Sequence, residues 1–285
     1  MGLRIQNNIE AFNTHRQLTA SAAAASKSME KLSSGYRINR AADDAAGLGI
    51  SEKMRGQIGG LDQAQRNAQD GISLVQTAEG ALSEVHSMLE RVRDLKVQFN
   101  NDTLDQNDKN SIGSEVLEIA KEVKSILDDT QFNGKTVFGA TDTFTFQVGA
   151  NEGETISMAA ASFGKAISGG GLSNLTSLEA ASALSVVTTA LSSGGLGNLD
   201  DLDTAIENVS KVRGQYGAIQ NRLEHRLANL ATYQENLTAS ESRIRDVDMA
   251  SEMTKFTKLN ILQQAGTSML AQANQAPQNV LSLLR

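Results

Sequence analysis

The stretch "LDTAIENVSKVRGQYGAIQNRLEHRLANLATYQENL", residues 202–237, decides the fold. Leu202, Val209, Tyr216, Leu223, Leu230 and Leu237 stand seven apart, and Val212, Ile219 and Tyr233 form an accompanying row. A seven-residue apolar repeat keeps one stripe of a helix turned toward a partner helix, which makes a coiled-coil-like seam. The partner lies upstream. Over residues 48–99, Leu61, Ala68, Val75, Leu82 and Leu89 repeat by seven, and so do Ala78, Val85, Val92 and Phe99. One helix over that span is about 75 Å long at 1.5 Å per residue. "NNDTLDQND" (100–108) is a turn with ready N-caps, and Ile112, Val116, Ile119, Val123 and Ile126 then alternate steps of four and three. That spacing predicts a third helix over ~105–129, antiparallel to the second because the connection is short.

Outward from these seams the pattern thins. Residues 3–33 read as helix, with Ile5, Ile9 and Phe12, then Ala20–Ala25, Met29 and Leu32 on a narrow stripe. "SSGYRINRAADDAAG" (33–47) is rich in turn and cap formers and reads as a connector. Phe132-Asn133-Gly134 is expected to close the third helix, with Gly134 in a left-handed turn. "TFTFQVGANEGETISM" (143–158) alternates around Gly149–Gly153 and predicts a β-hairpin. Residues 164–198 are Gly- and Ser-rich, a surface excursion with a weak helix over 178–192. After "SESRIRDVDMASEM" (240–253) the chain returns to helix over 253–284, with Met253, Phe256, Leu259, Leu262, Met269, Leu270, Val280, Leu281 and Leu284 as apolar positions. Such a segment does not hold alone in water. The fold class expected is mainly α: a long antiparallel helical rod with coiled-coil-like packing of the N- and C-terminal helices, plus a small β-hairpin element.

Composition agrees with a thin core. Aromatic residues make up 4% of the chain, with no Trp, and the single Pro permits long uninterrupted helices. Glycines inside helical patterns cost about 1 kcal/mol each against Ala, so these helices need partners. Cysteine is absent, which excludes disulfides and thiolate metal sites. Net charge is −7, divided as +4 over residues 1–40 and −12 over 41–240. No basic stripe or stacking aromatics mark a nucleic-acid partner, and no apolar run is long enough for membrane insertion. The first 25 residues lack the apolar core of a cleaved leader.

Chemistry finds little footing. His15, His86 and His225 are far apart and none stands in H-E-x-x-H; Gly47-Leu48-Gly49 lacks the third glycine of a dinucleotide loop and follows no strand. Asp43-Asp44, Asp128-Asp129 and Asp200-Asp201-Leu202-Asp203 read as helix caps and solvated turns rather than a metal site. Met253 and Met269 read as packing residues. No catalytic residue, cofactor or metal is expected. The Ser and Thr residues of 168–193 are candidates for O-glycosylation.

"LSSGYRINRAADDAAGLGISEKMRGQIGGL" (32–61) and "ANQAPQNVLSLLR" (273–285) strongly resemble bacterial flagellin, and "TQFNGKTV" (130–137) and "FQVGANEGETI" (146–156) resemble its helix–hairpin junction. The resemblance covers about residues 1–163 and 200–285. It implies a structural subunit that polymerises into the flagellar filament for swimming, extracellular and exported by the type III apparatus. Residues 1–44 with 245–285 would form an inner tube and 45–163 with 200–244 an outer tube, with 164–199 a short variable surface segment. It implies polymerisation through Ile5, Ile9, Phe12, Met253, Phe256, Leu259, Leu262, Met269, Leu270, Val280, Leu281 and Leu284, in helices that fold on assembly. Implied partners are other copies of the chain, an export chaperone, and the hook–filament junction and cap proteins. "ERVRDLKVQ" (90–98) resembles the stretch that the vertebrate Toll-like receptor for flagellin reads in some members, with Arg91, Leu95 and Glu115 as contacts. Rival readings are a junction or cap protein, an enzyme or sensor on a coiled-coil rod, and an amphipathic membrane-surface protein.

Overall fold

In the computed structural model, residues 8–138, 143–159, 188–189, 191 and 199–283 are described, the side chains of 159 and 276–283 excepted. Helices α1 (Ile9–Ser34), α2 (Ala45–Phe99) and α3 (Gln106–Asp129) come first, then strands β1 (Gln131–Phe132), β2 (Lys135–Thr136), β3 (Thr143–Gln147) and β4 (Thr155–Ala159). Helices α4 (Leu199–Arg245) and α5 (Met249–Leu283) complete the order. The mainly α class with a small hairpin element is therefore observed. The helix expected over 178–192 and the Gly/Ser-rich excursion fall almost wholly outside the described residues. The chain divides into two compact units, Met1–Ile58 with Glu235–Arg285, and Gly59–Gln234.

The second unit holds the seams. Both heptad rows of α2 are buried along their length, Leu61 through Leu89 and Ala78 through Phe99. Leu202, Val209, Tyr216, Leu223 and Leu230 of α4 are buried too, and Ile112, Val116, Ala120 and Val123 of α3 complete the core. Chain direction follows from pairs of opposing residues. Arg93 meets Asp203 at 2.6 Å and Gln65 Nε2 donates to Gln234 Oε1 at 2.6 Å, so α2 and α4 run antiparallel. Arg91 meets Glu115 and Phe99 lies under Lys109, so α2 and α3 are antiparallel as well. Tyr233 departs from the expected row: it is 44% exposed, because at that level α2 and α4 face each other through glutamines. α3 starts on a capping box, Asp105 accepting from the backbone of Asn107 and Asp108 while the Asp108 carboxylate accepts from Asp105 N.

Phe132-Asn133-Gly134 does not close α3, which ends on Thr130 in extended conformation. Asn133 and Gly134 take φ of 51° and 75° and turn β1 into β2 as a two-residue hairpin. Two successive positive φ angles favour Asn-Gly, the signature of such a hairpin. The second hairpin pairs Thr143 with Ala159 through Gln147 with Thr155. It docks on α2 and α4: Asn67 Nδ2 donates to the Gln147 carbonyl at 3.1 Å and Arg226 Nε to the Val148 carbonyl at 2.9 Å. Two helical glycines make room, since a Cβ at Gly60 would lie 3.0 Å from Ala150 Cβ and one at Gly71 would lie 3.1 Å from the Phe146 ring. Glycine within these helices thus serves packing as well as weakening them.

In the first unit α1 and α5 pair antiparallel. Asn8 Nδ2 donates to the Ala273 carbonyl, Leu18 covers Gly266, and Ser28 Oγ donates to Glu252 Oε1. Gly35 ends α1 at φ 74°. The connectors at either end meet: Arg37 N donates to the Arg245 carbonyl and Val247 N to the Gly35 carbonyl. Arg245 stacks on Tyr36 and reaches Glu52 at 2.6 Å.

Candidate assembly surface

The apolar positions of α1 and α5 do not fill a core. Among the described residues of the first unit, buried apolar side chains amount to Ala25, Ile38 and Ala273. Exposed large apolar residues concentrate here instead: Ile9, Phe12, Met29, Ile50, Met249, Met253, Ile261, Leu262 and Met269, with Val97 and Tyr233 the ones exposed in the second unit. Of the sequence-predicted assembly residues, Ile9, Phe12, Met253, Leu262 and Met269 are exposed, and Phe256, Leu259 and Leu270 are half-buried. Ile5 and Leu284 lie outside the described residues, and Val280 and Leu281 stand in α5 without described side chains. Ile261 was missed by the sequence reading. Its neighbour Leu262 carried the row, yet both are exposed, so apolar residues lie on more than one face of α5.

The physical reason is composition. α1 and α5 approach through alanine, serine and glycine, which brings the backbones close but buries little area. Of the larger side chains, Leu18, Leu32, Phe256, Leu259 and Leu270 are half-buried, while Ile9, Phe12, Met29, Met253, Ile261, Leu262 and Met269 are exposed.

Polar contacts hold the unit's fold. Asp43 Oδ2 accepts from Asn39 N at 3.2 Å and Arg40 N at 3.1 Å, while Oδ1 meets Lys27 Nζ at 2.6 Å. The Lys27 ammonium, with those amides, lowers the Asp43 pKa to about 2. Glu30 accepts from Arg40 Nε and Asn39 Nδ2, and these hydrogen bonds lower its pKa, Arg40 foremost. Glu252 is lowered chiefly by the Ser28 hydrogen bond. Asp44 caps α2 by accepting from Gly47 N, and Asp248 caps α5 by accepting from Ala250 and Ser251.

The predicted receptor contacts are brought together only in part. Arg91 Nε and Nη2 both donate to Glu115 Oε1, at 2.9 and 2.6 Å, and the pair is solvent-exposed. Leu95 is not on that surface: it is 2% exposed and belongs to the core cluster. The resemblance implied a contact role for it, but Leu95 lies three residues after Val92 and four before Phe99, both seam positions. Lys96 beside it is buried, its ammonium donating to the Leu191 carbonyl and standing 5.4 Å from the Phe99 ring, and burial lowers its pKa. His86 pairs with Glu90 in α2, and His225 faces a shallow groove beside the β3–β4 hairpin with Arg222 and Arg226. Among the described residues, no helix is long and apolar enough to cross a membrane.

The comparisons with known proteins agree with one another. Residues 5–143 match the bacterial flagellin N-terminal helical region and residues 199–284 the bacterial flagellin C-terminal helical region. The chain is 51% identical to a flagellin of Halalkalibacterium halodurans, over 99% of both chains. It is 50% identical to a flagellin of Bacillus subtilis, over 99% of this chain and 100% of that one. Among solved structures it resembles one described as a flagellar hook-associated protein from Vibrio parahaemolyticus, with TM-score 0.60 and 16% identity over 72% of this chain and 100% of that chain. That likeness concerns the fold alone; the full-length identity to flagellins decides between filament subunit and junction protein. From both helical regions and the end-to-end relatives, the chain belongs to the bacterial flagellin family, the structural subunits of the flagellar filament.

Proposed function

We propose that this filament subunit polymerises by burying the outward apolar surface of α1 and α5 against neighbouring copies, and that the two helices become stably ordered only then. One observation carries the reading: among its described residues the first unit exposes nine large apolar side chains and fully buries two alanines and one isoleucine. That burial contributes a few kcal/mol at about 25 cal/mol per Å². Fixing each backbone residue costs about 1–2 kcal/mol, and an isolated helix pair with so little core is marginal. Neighbouring copies supply the missing burial. The contact is heterologous and does not close, so growth is open-ended.

On this reading residues 1–44 with 245–285 serve the inner tube and 45–163 with 200–244 the outer tube. The chain acts without catalysis. It leaves the cell through the flagellar type III apparatus with an export chaperone, and meets junction and cap proteins at the filament ends. The exposed Arg91–Glu115 pair supports a narrower receptor reading, in which those two side chains are the contacts and Leu95 holds the helix from within. Arg91→Ala is then expected to reduce receptor signalling while filaments form normally; unchanged signalling contradicts it.

Deleting residues 253–285 tests the main reading. The expected result is a soluble chain that retains the second unit and forms no filaments; filaments of normal length from that truncation would refute it.

A further inference from the structure

The α1/α5 seam is nearly uniform along its axis. Among the described residues, its fully buried positions are the alanines Ala25 and Ala273 and the polar pair Ser28 and Glu252, and one alanine methyl resembles the next. An antiparallel pair with such a seam loses little apolar burial when it slides, so register must come from a few particular contacts, as with polar residues buried in coiled coils. Three contacts break the uniformity. At one end Asn8 Nδ2 donates to the Ala273 carbonyl at 2.7 Å, and in the middle the Leu18 side chain sits over Gly266. At the other end Ser28, 1% exposed, donates from Oγ to Glu252 Oε1 at 2.5 Å. This third contact joins two side chains inside the seam, and Lys255 stands 3.5 Å from the same carboxylate oxygen.

We propose that Ser28 and Glu252 are the register-determining pair of the terminal helices, fixing which outward apolar residues of α1 and α5 stand side by side and hence the surface that each neighbouring copy meets. The inference rests on the reading that the filament contains this helix pair. Sliding α5 by one helical turn sets Ser28 against Phe256 and Glu252 against Leu32; sliding by seven residues sets Ser28 against Leu259 and Glu252 beside Gly35. Each slip separates the hydroxyl from the carboxylate. A slip of seven the other way would offer Ser21 to Glu252, but it would carry residues 25–34 of α1, nearly three turns, past the start of α5 at Met249. An unpaired buried polar group costs more than the hydrogen bond contributes, so the pair penalises misregister more than it stabilises the native one.

The absence of cysteine permits a clean test. A Cβ at Gly266 would lie 3.8 Å from Leu18 Cβ, inside the disulfide range of about 3.5–4.5 Å. Leu18→Cys with Gly266→Cys therefore reports the native register. Leu18→Cys with Ala273→Cys reports the seven-residue slip, because in the native register Ala273 stands seven residues further on, about 10 Å along the axis. Filaments are assembled, oxidised and read for intrachain disulfides on non-reducing gels. The expected result is near-complete closure of the first pair and background closure of the second. Adding Ser28→Ala is expected to raise closure of the second pair at least tenfold, while Glu252→Gln, which keeps an acceptor oxygen, leaves it at background. Offset closure that stays at background with Ser28→Ala overturns the lock alone. Failure of the parental filament to close the first pair overturns the terminal pairing itself, and the lock with it. If Ser28→Ala chains do not polymerise, Glu252→Ala decides: offset closure raised at least tenfold supports the lock, and offset closure at background overturns it.

Discussion

Phe12→Ala separates the stability of the chain from its assembly. Phe12 lies in α1 and is 71% exposed, so the chain itself gives its ring little burial. A phenylalanine presents on the order of 200 Å², which leaves roughly 140 Å² for neighbouring copies to cover. At about 25 cal/mol per Å², and allowing for the methyl that remains, the substitution removes about 2–3 kcal/mol of assembly free energy. Each 1.4 kcal/mol is about tenfold in an equilibrium constant, so the critical concentration for polymerisation should rise about 30- to 100-fold. Loss of helix formation does not confound the measurement, because Ala favours helix over Phe by roughly half a kcal/mol. The assay is sedimentation of polymer across a concentration series, beside thermal unfolding of the unpolymerised chain by circular dichroism. An unchanged critical concentration would refute the reasoning, and so would an unfolding midpoint that falls by several degrees, since Phe12 would then be part of the chain's own core.

Other perturbations act elsewhere. Leu82→Ala, at a fully buried seam position, should lower the stability of the second unit by about 3–5 kcal/mol, read as a fall in the thermal midpoint; a fall under 1 kcal/mol contradicts the seam. Gly134→Ala places a side chain at φ 75° and should cost about 1–2 kcal/mol, measured by denaturant titration, whereas Asn133→Gly should be near neutral. Acid should loosen the first unit: Asp43, Glu30 and Glu252 all have lowered pKa values. The unfolded chain binds more protons there, so the stabilisation is full above the ordinary carboxylate range and is lost as pH falls through the folded values, for Asp43 from 3.8 toward about 2. In assembled filaments, protease susceptibility of residues 27–43 should rise over that window, and Asp43→Asn should give the susceptible pattern already at neutral pH.

The seams were legible because burial imposes a period. Leu61 to Leu89 and Leu202 to Leu230 are the residues that meet at the helix interface, and one step out of phase would expose all of them. The Asn133-Gly134 turn was located but misassigned, since a left-handed glycine serves a helix end and a hairpin equally well and only the flanking strands separate them. Leu95 entered as a receptor contact through the resemblance, although its spacing from Val92 and Phe99 already put it on the seam. Ser28 and Glu252 left no trace in the apolar pattern. A polar pair buried among alanines has no period, and its partners are remote in sequence. The outward stripes of α1 and α5 were found as amphipathic positions, but a sequence does not distinguish an apolar face turned toward the same chain from one awaiting another copy.

Amide hydrogen exchange, read residue by residue on the unpolymerised chain and on filaments, tests the central claim most directly. Amides of Ile9–Ser34 and of Met249–Gln275 should exchange within seconds to minutes in the single chain and slow by at least a hundredfold in the filament, while those along the Leu61–Leu89 seam are protected in both. Equal protection of α1 and α5 before and after polymerisation would contradict the account.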